Sequence, residues 1–283
     1  HKCSDLFITY LVPVVLDANE YHKLLIDWFS YWLKGEKNDI LKNRVSYFRM
    51  GEDKWIQSTS WPLKNVKSQK WYLKSKQGAN SSSGDGELVS KVVKKAKKDG
   101  FTFDPKNPVP TVGGVNVHFF RNNLGVRDQR KVEQRKDVLV YTSPSLSQKL
   151  NITGKIRAVL YVSSDAKDTD FTAKLVEVRK DGYARIIQDG ILRTRFRETK
   201  KHPQLMTPGK VYRIEVDLGY TSIQLPAGSK LRLDISSSNF PKYTPNNNIG
   251  DDVLRSSKVK KAQQTLHFSK EYPSHLLLPV QGK

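Results

Sequence analysis

The chain has 283 residues, 37% of them hydrophobic and 10% aromatic, which is enough apolar material for a packed core and too much for a disordered chain. Its formal net charge is +21, and the single cysteine, Cys3, excludes an intrachain disulfide framework and a cysteine-rich zinc site. No apolar run approaches the roughly 18–20 residues that cross a bilayer. The longest, Leu6 to Leu16, is broken by Thr9, Tyr10 and Pro13, and no basic-then-apolar leader precedes it, so neither a membrane span nor a signal peptide is expected.

The first predicted element is a helix over residues 17–35. Tyr21, Leu24, Leu25, Trp28 and Trp32 recur at helical spacing on one face, Asp17 and Glu20 have capping-box spacing, and Lys34-Gly35 forms a stop. A face this aromatic must pack against something large. Beyond Gly35 the period shortens to two, the signature of half-buried strands. Strand-like runs are expected at 45–50, 70–74, 138–142, 171–178, 190–197, 264–268 and 276–280. The clearest alternations place Ile156, Ala158, Leu160 and Val162 inward, then Tyr212, Ile214, Val216 and Leu218, then Leu231, Leu233 and Ile235. Between these runs, GANSSSGDGE (78–87) reads as a flexible loop by composition. The lysine tracts KVVKKAKK (91–98) and KVKK (258–261) read as solvated surface in preference to a polyanion contact. They come with no groove-reading helix or stacking platform, so no nucleic-acid partner is expected. Many short strands without intervening helices predict a mainly β fold, a jelly-roll β-sandwich of the galactose-binding-like type.

The usual chemical motifs are not found in the chain. It contains no G-x-S-x-G, P-loop, H-E-x-x-H or paired C-x-x-C. His22, His202, His267 and His275 lack a nucleophile at a recognisable spacing and read as structural. Asp165, Asp168 and Asp170 in SSDAKDTD lack the glycine and distal glutamate of a calcium loop and are expected to cap a tight turn. Asp128, Gln129 and Arg130 read as a turn that fixes its own backbone, with Arg130 free to meet a carboxylate at a domain boundary. No cofactor or metal is expected.

Taken together and in order, NPVPTVGG (107–114), GVRDQR (125–130), DTDFTAKLVEV (168–178), DGILR (189–193), SSSNFP (236–241) and PSHLLLP (273–279) resemble the C-terminal half of the cocaine esterase-like/X-prolyl dipeptidyl aminopeptidase-like (CocE/NonD) serine hydrolases. WFSYWLKG (28–35) and YFRMGEDKWIQSTSWPL (47–63) resemble that family's passage from catalytic domain to jelly roll. The resemblance implies a division into residues 1–42, the end of an α/β-hydrolase domain, and residues 43–283, the jelly roll. It implies ester or amide cleavage, acyl or X-Pro dipeptidyl, by a Ser-Asp-His triad whose serine and aspartate are not found in this sequence. The partners would be an N-terminal catalytic half and a small ester, amide or peptide substrate, and this chain alone would be inactive. His1, 32 residues before Leu33, is then the candidate triad base, the other reading being an arbitrary chain end. Val117 and Phe119 are candidate walls of the acyl pocket, or equally the inward residues of a strand. The other function compatible with the fold is a non-catalytic carbohydrate-binding module, with Trp55, Trp61 and Tyr243 as its aromatic candidates. Oligomeric state, and a bacterial cytoplasmic as against an exported location, are left open.

Overall fold

The computed structural model describes residues 18–42, 45–95, 97–115, 124–251 and 256–282. His1, Val117 and Phe119 lie outside the described residues, as does Asp17 of the capping box. The chain begins with helix α1 (Ala18–Lys34) and a 3-10 turn (Asp39–Leu41). A two-stranded hairpin follows, β1 (Val45–Arg49) and β2 (Lys54–Ser58), and then β3 (Val66–Lys74), β4 (Glu87–Val89) and β5 (Lys97–Phe103). After the short helix α2 (Arg130–Glu133) come β6 (Leu139–Thr142), β7 (Leu150–Ser164), β8 (Asp170–Val178) and β9 (Ala184–Arg193). The last four strands are β10 (Tyr212–Leu225), β11 (Lys230–Ser236), β12 (Ala262–Phe268) and β13 (His275–Gln281).

β3 to β13 form one continuous 11-stranded ladder folded into two layers, the jelly-roll sandwich expected from the alternation. The 15-residue strand β7 is the spine of one layer. β10 pairs along one of its edges, and β13 and then β12 pair along the other. β6, β11, β8 and β9 form the facing layer, and β4 links the two by pairing with both β3 and β6. Alternate residues from both layers meet in one core, including Ile156, Leu160, Phe171, Leu175, Ile214, Leu233 and Phe268. β10 keeps its apolar face inward through a register shift between Asp217 and Gly219. Before this bulge Ile214, Val216 and Leu218 point inward; after it the parity flips and Ile223 and Leu225 do so.

β8 is buried on nearly its whole length because both of its faces are covered. Its outer face, with those of β6 and β11, lies under a strap made of residues 104–115 and 124–137. Val109 and Val132 of this strap pack on Val138 and Val140.

Several expectations are corrected. The 78–87 segment is pinned down instead of flexible: Ala79 is buried, Asn80 bridges to Leu139, and the Asp85 carboxylate accepts the N–H groups of Lys76, Gln77 and Gly78. Its Gly/Ser content reflects turn chemistry, which here coincides with tertiary anchoring. The tract 91–98 ends inside an edge strand, since β5 begins at Lys97 and alternates exposed with buried residues. The run expected at 190–197 begins earlier, at Ala184, and turns into a 3-10 helix at Thr194–Phe196. Helix α1 is present, but Tyr21, Leu24, Trp28 and Trp32 remain between 45% and 56% exposed.

One core polar cluster yields a pH prediction. Asp99 is buried, accepting hydrogen bonds from Tyr141 at 2.5 Å and Ser75 at 2.8 Å. Burial pushes its carboxyl above the ordinary value of 3.8, against the lowering effect of those bonds. A carboxyl raised in the folded state contributes stability that is complete below the unfolded pKa and is lost as pH climbs through the folded one. Asp99→Asn, which keeps the shape and a carbonyl for Tyr141, is therefore expected to gain stability relative to the parent as pH rises from about 4 to 7. Chemical denaturation at several pH values checks this; a difference that does not change with pH contradicts it.

Candidate functional site

Phrases that stand far apart in sequence converge beneath the strap. Gly114 and Gly125 exchange backbone hydrogen bonds at 2.7 and 3.2 Å, closing a neck. The segment between them, 116–123, carries Val117 and Phe119 and lies outside the described residues. The neck is tied down on both sides. Val109 donates its N–H to Ser238 Oγ at 2.8 Å, Phe240 donates to Val109 O at 2.9 Å, and Thr111 donates to Phe240 O at 2.6 Å. On the other side Gln129, fully buried, donates its side-chain amide to Val112 O at 2.7 Å and to Arg127 O at 3.2 Å.

Asp189 is the hub of the arrangement. Its carboxylate accepts from Lys242 Nζ at 2.8 and 2.9 Å and from Asn239 Nδ2 at 3.0 Å. Gly114, at φ +85°, passes so close that an added Cβ would stand 2.9 Å from Asp189 Oδ1. Both the left-handed backbone and the close approach require glycine. Gly114→Ala is expected to cost about 1–2 kcal/mol of stability from the backbone alone, read as a lowered denaturation midpoint. An unchanged midpoint would show that the neck does not need this geometry.

Next to this hub lies a buried charge cluster. Glu133 of α2 pairs with Arg232 of β11, and Lys174 of β8 reaches Gln129 Oε1 at 3.3 Å. Burial drives Asp234 and Glu133 upward and Lys174 downward, each toward its neutral form. A second node lies at the β7–β8 turn. Asp168 accepts from Thr194 Oγ1, the Arg195 backbone and guanidinium, and Asn246; Asp170 accepts from Arg193 and Asn246. These aspartates were expected to cap their own turn. Their partners instead come from the β9 end and the 246 loop, and both carboxylates are used for fixing three loops together. Arg130, which was expected to be available at a boundary, pairs with Asp128 within its own turn at 2.7 Å.

The opposite end of β7 carries an aromatic collar. Trp61 packs between Tyr47 and Tyr220 with ring centroids 6.0 Å from each, and Phe48 meets Trp55 edge-on at 5.8 Å. Trp55, Trp61 and Tyr220 are nonetheless 46%, 39% and 58% exposed, whereas Tyr243 is half-buried. Helix α1 separately exposes Trp28 and Trp32, with ring centroids 5.8 Å apart, together with Phe29 and Leu33. Apolar side chains in such numbers, left open beside a closed core, mark a surface built to be covered. Among the histidines, His267 Nε2 stands 2.9 Å from Ser163 Oγ across β7 and β12. No carboxylate orients the ring among the described residues, so this pair lacks the third member of a triad.

The sequence matches the X-Pro dipeptidyl-peptidase C-terminal non-catalytic domain over residues 38–277. It is 38% identical over 270 residues to the cocaine esterase of Rhodococcus sp. (strain MB1 Bresler), covering 94% of this chain and 46% of that protein. Among solved structures, an α-amino acid ester hydrolase superposes with TM-score 0.78 at 26% identity, covering 92% of this chain and 44% of the other. An aminopeptidase from a marine sediment Thaumarchaeota archaeon superposes with TM-score 0.80 at 23% identity, covering 96% and 46%. The chain belongs to the X-Pro dipeptidyl-peptidase C-terminal non-catalytic domain family. It spans about half the length of the curated relative it matches.

Sequence reasoning missed Lys174, Gln129 and Asp189 as the pieces that hold the neck. A signal was present for Lys174, the lone cation of a strand otherwise rich in apolar residues, Phe171, Ala173, Leu175, Val176 and Val178. Gln129 and Asp189 carried none, because their partners lie 17 to 53 residues away.

Proposed function

We propose that this chain is the C-terminal, non-catalytic portion of a serine hydrolase that cleaves ester or amide bonds of the acyl or X-Pro dipeptidyl kind. In this reading residues 1–42 complete an α/β-hydrolase catalytic domain, His1 serves as the triad base, and residues 43–283 are the jelly roll. The catalytic half, in the same polypeptide or a separate one, supplies the serine, the aspartate and the oxyanion donors. Val117 and Phe119, carried on the segment that leaves the Gly114–Gly125 neck, form apolar wall of the acyl pocket. The neck's rigid foundation supports this, since a wall that selects an acyl group needs a loop whose base does not move.

The single observation that carries the reading is the uncovered aromatic face of α1, none of whose side chains belongs to the closed core of the sandwich. A free-standing carbohydrate-binding module would have no use for that helix. The test is to express the chain together with the coding sequence preceding it and to treat the product with a fluorophosphonate. Covalent labelling at a serine in a G-x-S-x-G upstream, lost on His1→Ala, is expected. An upstream sequence without a nucleophile elbow sinks the proposal.

A further inference from the structure

An open cavity lies at the far end of the sandwich from the aromatic collar. It is an open groove of about 660 Å³, within the roughly 300–1,000 Å³ typical of small-ligand sites. One wall is the outer edge of β5 at Gly100 and Thr102, and the other is formed by Asn107 and the Arg135–Asp137 turn. Asn80 ties the walls together at the floor, donating to Gly100 O at 2.8 Å and to Lys136 O at 3.0 Å. Gly100 O thus points away from β12, and the rest of that strand edge has no strand partner among the described residues. The Asn80 crosspiece blocks the run of ladder bonds that an added strand would need.

The charges in the groove are ordered. Arg135 is locked to Asp137 by two bonds of 2.8 Å and to Asn107 O at 2.7 Å, and Lys261 is paired with Asp104 at 2.9 Å. Lys136, an exposed residue, has no carboxylate partner among the described residues. Lys97 and Lys98 extend the positive field along β5, and the whole chain carries +21, which raises the local concentration of anions. Phe101, the aromatic residue of the lining, turns its ring into the core. The groove therefore offers neither a stacking platform for bases nor an apolar floor for a lipid or hydrocarbon. What it offers is a closely spaced mixture of amide, hydroxyl and paired carboxylate groups with one unspent cation. That mixture suits a ligand rich in hydroxyls that act as both donor and acceptor, bearing a carboxylate.

We propose that this groove is a binding site for an acidic, uronate-bearing oligosaccharide, with Lys136 receiving the carboxylate. The site does not depend on the hydrolase reading. The collar ring Tyr220 stands opposite Lys155 of β7 and the groove lies by the Ser164 end, separated by about 30 Å of strand at 3.3 Å per residue. A catalytic half covering the collar leaves the groove open.

The test is calorimetric titration of the full chain with tetragalacturonate, its methyl-esterified form and a thymidine oligonucleotide of similar charge. Saturable binding of the free acid is expected, with weak or no binding of the ester and the oligonucleotide. Lys136→Glu is expected to weaken the acid by about tenfold or more, the equivalent of one charge-assisted hydrogen bond. Lys200→Glu, the same charge change at another exposed lysine, is expected to leave it unchanged. Equal loss from both lysine variants, or equal binding of the oligonucleotide, means diffuse electrostatics and overturns the site. Equal binding of the ester overturns the role of the carboxylate, and absence of binding at millimolar ligand overturns the proposal outright.

Discussion

Asp189→Ala is expected to be among the most destabilising single substitutions in this chain, at about 3–5 kcal/mol, the usual cost of removing one partner from a buried ion pair. The Asp189 side chain is 2% exposed and Lys242 14%, so solvent does little to screen the ammonium left behind. Asn239, also buried, loses its acceptor in the same step. The damage should be local in the first instance, because Asp189 sits where the 114–125 neck, the 239–242 turn and β9 meet. Hydrogen exchange should therefore accelerate over 109–115 and 124–130 before the β7 core responds. Asp189→Asn, which keeps an acceptor for both partners and removes only the charge, should cost distinctly less. If alanine and asparagine are equally mild, the ion pair is a surface contact in effect and the neck is held by its backbone bonds alone.

The second large effect concerns the exposed tryptophans of α1 and of the collar. Trp28→Asp combined with Trp61→Asp is expected to leave the denaturation midpoint of the sandwich nearly unchanged, since both rings are already 45% and 39% exposed and neither belongs to the closed core. In a protein that carries both halves, the same pair should lower hydrolytic activity through loss of docking. Buried tryptophans at interface centres are each worth about 2 kcal/mol or more, a factor of roughly 30 in affinity per residue. The readout is activity as a function of the concentration of separately supplied halves, or domain separation in scattering when they are linked. A midpoint that collapses in this chain alone would mean that the rings pack internally. Unchanged activity and unchanged compactness would mean that the catalytic half docks elsewhere.

The strands that declared themselves most clearly in the sequence were those in which apolar and polar residues alternate. β10 and β11 alternate cleanly, and their inward residues Ile214, Val216, Leu231 and Leu233 are those that fill the core. β5 was harder to see because it is an edge strand, where lysines such as Lys97 and Lys98 guard unpaired backbone groups and disguise the period. The short strand β4 was invisible because its pairing with β3 and β6 is a tertiary event of three residues. The amphipathic helix was read correctly as a helix and its face correctly as apolar. Its expected burial does not occur within the described residues, since periodicity reports that a face needs cover and not where the cover comes from.

Periodicity, turn chemistry and the ordered phrases from Asn107 to Pro279 were thus sufficient to determine a jelly-roll sandwich and its family, because these depend on local spacing. Tertiary structure alone decided what the phrases do. Asp168 looked like a turn cap until Arg195 and Asn246 arrived from 27 and 78 residues away, and Asp189 was no more than a letter of the phrase DGILR until Lys242 closed on it. A buried charge is tolerable only where its partner is delivered, and delivery depends on how distant strands cross. The same holds for the groove beside β5, whose walls are separated by some 35 residues of chain and joined by the amide of Asn80.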